Sequence, residues 1–269
     1  MAIVGITIIP AITIGLVDVR RVSRDTFTTT LTGRVGLTNR MEFEMRLPYV
    51  VRHDTTITRS LSNQAVTDSA FDAKGTHLGD AEATLRYQLN DGGGDKPYFV
   101  GSLRYKSRTG ISPFDVEFDP VSRLQATLPT GSGFMGFQPG LTVLIPSDPA
   151  VFFGGVTYMM NLKRDVGHDF GVIQPGNILG FNFGMGLALN DKATFSIGYD
   201  HAAVAKTKQL NSDTAVNQIG IQTTAQIGTL LLGYSYRMTP STNMNLSLGV
   251  GVTRDAPDMQ LTLRLPMSF

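Results

Sequence analysis

Apolar and polar side chains alternate along most of this chain with a period of two, as expected of strands whose faces meet different surroundings. From Arg40 to Arg52, Met41, Phe43, Met45, Leu47, Tyr49 and Val51 share one face, and Glu42, Glu44, Arg46, Pro48 and Arg52 the other. Ala81, Ala83, Leu85, Tyr87 and Leu89 oppose Glu82, Thr84, Arg86 and Gln88 in the same way. Leu179, Phe181, Phe183, Met185, Leu187 and Leu189 alternate with Gly, Asn and Ala, and Met244, Leu246, Leu248, Val250 and Val252 with Asn, Ser, Gly and Thr. The rhythm predicts about twelve strands, at 6–19, 26–37, 40–52, 80–90, 97–107, 134–146, 151–163, 178–189, 192–206, 218–237, 243–253 and 258–269, with minimal helix.

The connections fall into two classes. Thr38-Asn39, Asn90 to Lys96, Ser147 to Pro149, Asn190-Asp191 and Thr239 to Thr242 are short and rich in turn-forming residues. Between them come two predicted loops of about 25 residues, 53–79 and 108–133, and medium ones near 164–177 and 207–217. Short turns at one end and long loops at the other form the pattern of a transmembrane antiparallel up-and-down β-barrel of the outer-membrane type. An even strand count puts both termini on the short-turn, periplasmic side. A soluble sandwich also alternates, but these strands exceed the usual five or six residues. Their polar faces carry Gly, Ser, Thr, Asn and charges of both signs, with little Lys. The expected fold class is therefore all-β, with 1–269 forming a single barrel domain.

The last segment sharpens this picture. Met259, Leu261, Leu263, Leu265, Met267 and Phe269 alternate with Gln260, Thr262, Arg264, Pro266 and Ser268. The pattern resembles the closing strand of bacterial outer-membrane barrels, which commonly end on Phe as an assembly signal. The expectation is that this strand closes the barrel against the first one near residues 6–19. Arg264 would then face the lumen, with Leu263 and Leu265 against lipid.

Composition narrows the function classes. The 269 residues include 17% charged ones, a net charge of +1 and no Cys or Trp. Such a balance argues against the basic stripe of a nucleic-acid binder, and the lack of Cys excludes disulfides and thiolate metal sites. No run approaches the roughly 18 apolar residues of a membrane helix. The Ile3-to-Val17 run lacks a basic leader and a cleavage pattern, so an exported protein is expected to have further residues upstream.

The candidate site is the lumen. Parity predicts that Arg34, Glu42, Glu44, Arg46, Glu82, Arg86, Arg104, Lys106, Lys163, Asp200 and Arg264 line it. Both signs occur, so charges can pair across strands, either lining a selective, water-filled passage or plugging it. Tyr49, Tyr87, Tyr105, Tyr158, Phe181, Phe183, Phe195, Tyr199, Tyr234, Tyr236 and Phe269 are expected on the outward face, as in interfacial girdles. His53-Asp54 and His168-Asp169 fall at predicted loop ends and are the residues a rim hydrolase or metal site would use. Dipeptides of this kind are common in polar loops, and neither enzymatic activity nor a cofactor or metal is expected. Ser196 falls on the wrong face to join His201 in a triad. Gly131-Ser-Gly133-Phe-Met-Gly136 matches a dinucleotide-binding spacing but leads into a strand rather than a helix, so it reads as a loop. Asn90-Asp-Gly-Gly-Gly-Asp95 reads as a turn.

Met41-Glu-Phe-Glu-Met-Arg-Leu-Pro-Tyr49, His77-Leu-Gly-Asp-Ala-Glu-Ala-Thr-Leu-Arg-Tyr87 and the terminal Leu-Arg-Leu-Pro-Met-Ser-Phe269 carry a family resemblance. Over nearly its whole length the chain resembles the barrel of Fap-type functional-amyloid secretion channels from the outer membrane of pseudomonad-like bacteria. Leu-Gly-Asp before an alternating strand also resembles the broader outer-membrane channels associated with aromatic-compound degradation. The first resemblance implies export of unfolded amyloid subunits from periplasm to cell surface for biofilm amyloid. It also implies an upstream coiled coil that makes a homotrimer and a short helix that plugs the lumen, with no counterpart here. Implied partners are outer-membrane lipid, the amyloid subunits and the barrel-assembly machinery, with no nucleic acid. The second resemblance implies passive diffusion of small hydrophobic or aromatic solutes.

Overall fold

The computed structural model describes residues 2–14, 19–62, 65–92, 96–117, 126–167, 171–210 and 224–268, and of 2–14, 19–22, 56–62 and 65–70 the backbone alone. Its strands are β1 (Ala2–Ile14), β2 (Val19–Thr38), β3 (Met41–Ser62), β4 (Ala65–Leu78), β5 (Glu82–Gln88), β6 (Tyr98–Lys106), β7 (Gly136–Ser147), β8 (Ala150–Asn161), β9 (Arg164–Asp165), β10 (Val172–Gln174), β11 (Ile178–Ala188), β12 (Ala193–Val204), β13 (Lys208–Leu210), β14 (Ala225–Thr239), β15 (Thr242–Gly251) and β16 (Met259–Arg264). No helix among the described residues is long and apolar enough to cross a membrane.

Thirteen of these strands form one antiparallel sheet that closes on itself. β16 pairs with β15 and with β1, β1 with β2, and β2 with β3. Both β4 and β5 pair with β3, end to end: Tyr49–Ser62 faces β4, and Met41–Arg46 faces β5. They share one wall position, so the thirteen-stranded sheet is a ring of twelve. Closure removes the edges that an open sheet would expose. The last strand meets the first, along Ile3–Ile8 rather than across the expected 6–19, in the register Ile3↔Arg264 to Ile8↔Met259.

The barrel is apolar outside, the reverse of a soluble sandwich. Along β3, exposure alternates residue by residue: Phe43, Met45, Leu47, Tyr49 and Val51 are exposed while Glu44 is fully buried. Exposed Leu31, Leu85, Leu103, Leu141, Val156, Phe183, Ile197, Tyr234, Leu246 and Leu261 continue that band around the ring. A sandwich would bury these residues between two sheets. Here only a backbone hydrogen-bonded in a closed ring, with apolar side chains outward, satisfies a hydrocarbon surrounding.

Two loop expectations change. Residues 53–79 are not a loop, because β3 and β4 run on above the apolar band as a ribbon paired from Tyr49↔Leu78 to Ser62↔Ala65. β1 and β2 likewise pair up to Ile14↔Val19. The medium loops hold a small sheet in the order β13-β10-β9. There Ile173 and Val166 pack with Phe134 and Phe114 in an apolar cluster of loop residues. The Asn90 turn is locked by its own side chain, which donates to the Pro97 carbonyl and accepts from the Phe99 amide.

A charged wall, a neutral wall and a strapped mouth

Alternation puts the even-numbered side chains of β2, β3, β5 and β6 on the inner face, where they form an ion-pair ladder. Glu44 is its hub. Arg34 and Arg46 each reach the Glu44 carboxylate at 2.6 Å, and Arg86 reaches it at 3.1 Å. Glu42 pairs with Arg86 at 2.9 Å and Arg34 at 3.4 Å. Glu82 pairs with Arg104 at 3.0 Å and lies 4.0 Å from Arg46. Arg104 also donates to Gln138 on the next strand. A carboxylate this buried is tolerable only because guanidinium groups surround it.

The wall that continues beyond β6, on β7, β8, β11 and β12, is almost neutral. Thr157, Asn182 and Asp200 border a cavity of about 480 Å³ together with Arg46, Thr84, Arg86, Ser102, Arg104 and its neighbour Gln138. A second cavity, of about 320 Å³, is lined by Thr28, Thr30, Arg46, Pro48, Glu82, Gln260, Thr262 and Arg264. A third, of about 310 Å³, lies toward the short turns and includes Gly36, Thr38, Glu42, Arg86 and Gln88. Arg46 borders the first two and Arg86 the first and third, so the three spaces meet along the ladder.

The structure thus brings together ten of the eleven expected lumen residues on the inner side: Arg34, Glu42, Glu44, Arg46, Glu82, Arg86, Arg104, Lys106, Asp200 and Arg264. Lys163 is not among them. β8 ends at Asn161, the chain leaves the wall, and Lys163 is exposed in the connection to β9. Phe269, His168 and Asp169 lie outside the described residues.

The expected rim pair of His53 and Asp54 is dissolved by the strand itself, because successive side chains point to opposite faces. His53 turns outward, 3.6 Å from Asp72, while Thr55 donates to Asp72 at 2.7 Å. Asp54 turns inward between Arg24 (2.8 Å) and Arg52 (3.0 Å), above the apolar band. Burial there pushes its carboxyl up, but the hydrogen bonds and charges of the two guanidiniums outweigh that and hold it below the usual carboxylate range. On the outer face His201 is already satisfied by the Tyr199 hydroxyl (2.9 Å), the Gln226 side chain (2.8 Å) and stacking on Phe181. Among the described residues no acidic, His or Cys cluster is placed to hold a metal.

No local pattern of residues announces the strap at the mouth. The connection from β6 to β7 folds back over the upper inner wall. Leu128 donates to the Lys74 carbonyl at 3.0 Å, and Thr130 donates its hydroxyl to Leu78 at 2.8 Å. This covers the β4 edge, which has no strand beyond it among the described residues. Leu128 is buried against Ala73 and Gly75, where a Cβ on Gly75 would overlap the Leu128 carbonyl. Asp80, in the break between β4 and β5, fastens the strap. It accepts from the Ser132 amide (2.8 Å), the Ser132 hydroxyl (2.7 Å) and the Gly110 amide (3.2 Å), with the Lys106 ammonium at 3.4 Å. Gly131 rests on Gly110 with no room for a Cβ on either, and Gly133 has φ +77°. The glycines of the apparent dinucleotide motif are therefore packing and turn residues that lead into β7.

A closed twelve-position barrel, apolar outside and charged inside, defines the chain as an outer-membrane β-barrel, located in the bacterial outer membrane. No family model matches the chain. Among solved structures it is similar to the COG4313 outer membrane channel from Pseudomonas putida F1, with TM-score 0.63 and 14% identity, covering 100% of this chain and 93% of that one. It is also similar to the translocator domain of the autotransporter NalP from Neisseria meningitidis, with TM-score 0.51, 13% identity and coverage of 100% and 88%. The transport unit of the autotransporter AIDA-I from Escherichia coli gives TM-score 0.51 at 11% identity, with coverage of 100% and 89%. At these identities the likeness is one of fold.

Proposed function

We propose that this protein is an outer-membrane channel through which small solutes diffuse. The observation that carries the reading is an inner wall lined by the Glu44 ladder, along which lie spaces of about 310 to 590 Å³. Such volumes suit single small molecules. The lining favours polar and charged solutes over the hydrophobic or aromatic ones of the second family resemblance. The apolar depression of about 460 Å³ between Phe152, Phe183, Ile197 and Tyr199 includes the lipid-facing side of the wall.

Export of unfolded amyloid subunits is the second reading, supported by the Fap-type resemblance and by a barrel fold shared with two autotransporter translocation units. Liposome swelling with solutes of graded size separates the two. Entry of solutes up to a sharp cutoff, with surface amyloid unchanged in cells lacking the gene, is the outcome expected here. Loss of surface amyloid in those cells, with no solute entry into liposomes, would reverse the order.

A further inference from the structure

The inner wall carries more positive charge than its own acids compensate. Around the Glu44 hub stand Arg34, Arg46, Arg86, Arg104 and Arg264, against Glu42, Glu44 and Glu82. Even with Asp200, which makes no ion pair among the described residues, one guanidinium remains in excess. That guanidinium belongs to Arg264. It has no hydrogen bond or ion pair among the described residues, yet it sits within the electrostatic reach of Arg34 and Arg46, which repel it, and of Glu44. Arg264 is exposed to the open lumen, so its guanidinium is free to attract an anion that the chain does not supply.

The space for that anion is next to Arg264. The cavity of about 320 Å³ brings Arg264 on β16 and Arg46 on β3 to one volume, bordered by Thr28, Thr30, Thr262 and Gln260. Hydroxyl and amide groups there can add donors to the two guanidiniums, the combination that recognises oxyanions. Glu82 also borders the cavity, but Arg104 holds its carboxylate at 3.0 Å. We propose that this cavity is a binding site for a small oxyanion, a carboxylate or a phosphate, which the channel holds in passage between Arg264 and Arg46. The inference rests on the small-solute reading and names the class of solute that the lumen favours.

Equilibrium dialysis of the folded barrel in detergent at low ionic strength tests the site, with radiolabelled acetate, inorganic phosphate and neutral glycerol as probes. Saturable binding of one equivalent of acetate or phosphate, and none of glycerol, is the expected result. The tighter of the two anions identifies the oxyanion. Arg264→Gln should weaken that binding about tenfold or more, and Arg264→Lys should retain part of it. Thr262→Val, which preserves the strand's shape, should weaken it several-fold and serves if the Gln variant does not fold. Absence of saturable binding of either anion overturns the proposal, as does binding that Arg264→Gln and Thr262→Val leave unchanged. Conductance in planar bilayers is read separately. A barrel that conducts chloride but binds neither anion loses the site and keeps the channel, and one that binds but never conducts loses the channel.

Discussion

Removing the Asp80 carboxylate should release the strap at the mouth without unfolding the barrel. Asp80 is only 9% exposed and accepts from two amides and a hydroxyl beside an ammonium. In Asp80→Ala, the Gly110 and Ser132 amides, the Ser132 hydroxyl and the Lys106 ammonium all lose that acceptor. An abandoned buried donor costs roughly 1–3 kcal/mol, and breaking a buried ion pair roughly 3–5 kcal/mol. The strap can relax toward water, so about 3 kcal/mol, at the low end, is the expected cost. It should appear as local opening. At about 1.4 kcal/mol per tenfold, amide exchange at Gly110 and Ser132 should accelerate on the order of a hundredfold. Amides paired within β11 and β12 should keep their parent rates. Asp80→Asn, which retains one acceptor oxygen, should fall between. Hydrogen exchange followed by mass spectrometry of peptides covering 107–117 and 126–135 measures this. Unchanged exchange there in the Ala variant would refute the assignment of Asp80 as the fastener.

Three further outcomes test the face assignment and the electrostatics. Replacing Arg34, Arg46 and Arg86 together by Gln leaves Glu42 and Glu44 without three of their counter-charges, so reversal potentials in a salt gradient should shift toward cations; potentials that stay put would contradict the inner-wall placement. Leu103, exposed on β6, and Ser102, which lines the lumen cavity, are neighbours on opposite faces. Leu103→Lys should therefore cost about 2–4 kcal/mol in urea unfolding from lipid and Ser102→Lys far less, and equal costs would sink the orientation. Asp54 has a depressed carboxyl pKa, so the stability it contributes is fully present above its unfolded value of 3.8 and is lost as pH falls through the lower, folded value. Exchange protection of peptides that include Asp54 should accordingly persist at pH 4 and fall below it, a dependence that Asp54→Asn should abolish.

The barrel was legible because its two environments are so unlike. Wherever lipid meets one face, as at Phe43 to Val51, the period of two is written in the side chains. Above the band the contrast disappears. In 53–62 and 65–77, polar residues such as Thr55, Thr56, Ser60, Asp68 and Lys74 follow no alternation in the sequence, so the ribbon carried no periodic signal and read as a loop. Parity identified the inner residues but not their partners. Pairing Glu44 with Arg34 and Arg86 depends on the registers Arg34↔Glu44 and Glu42↔Arg86, which only the folded sheet supplies. Lys163 was misplaced because parity was carried past the end of β8. The Asp80 fastening joins residues 26 to 52 positions apart in the chain, beyond any local pattern.

The two walls impose a direction on anything inside. Every guanidinium of the ladder stands on β2, β3, β5, β6 or β16, while β7, β8, β11 and β12 offer Gln138, Thr157, Asn182 and the single acid Asp200. A dissolved ion therefore meets a field that runs across the lumen rather than along it. An anion is drawn to the wall where Arg264 lacks a partner, and a cation to the side of Asp200. With a Debye length of about 8 Å at physiological salt, that sorting acts on ions close to the wall. The strap lies above the same charged wall, bonded to β4 and fastened at Asp80, so on the proposed reading the mouth and the anion site share one half of the ring.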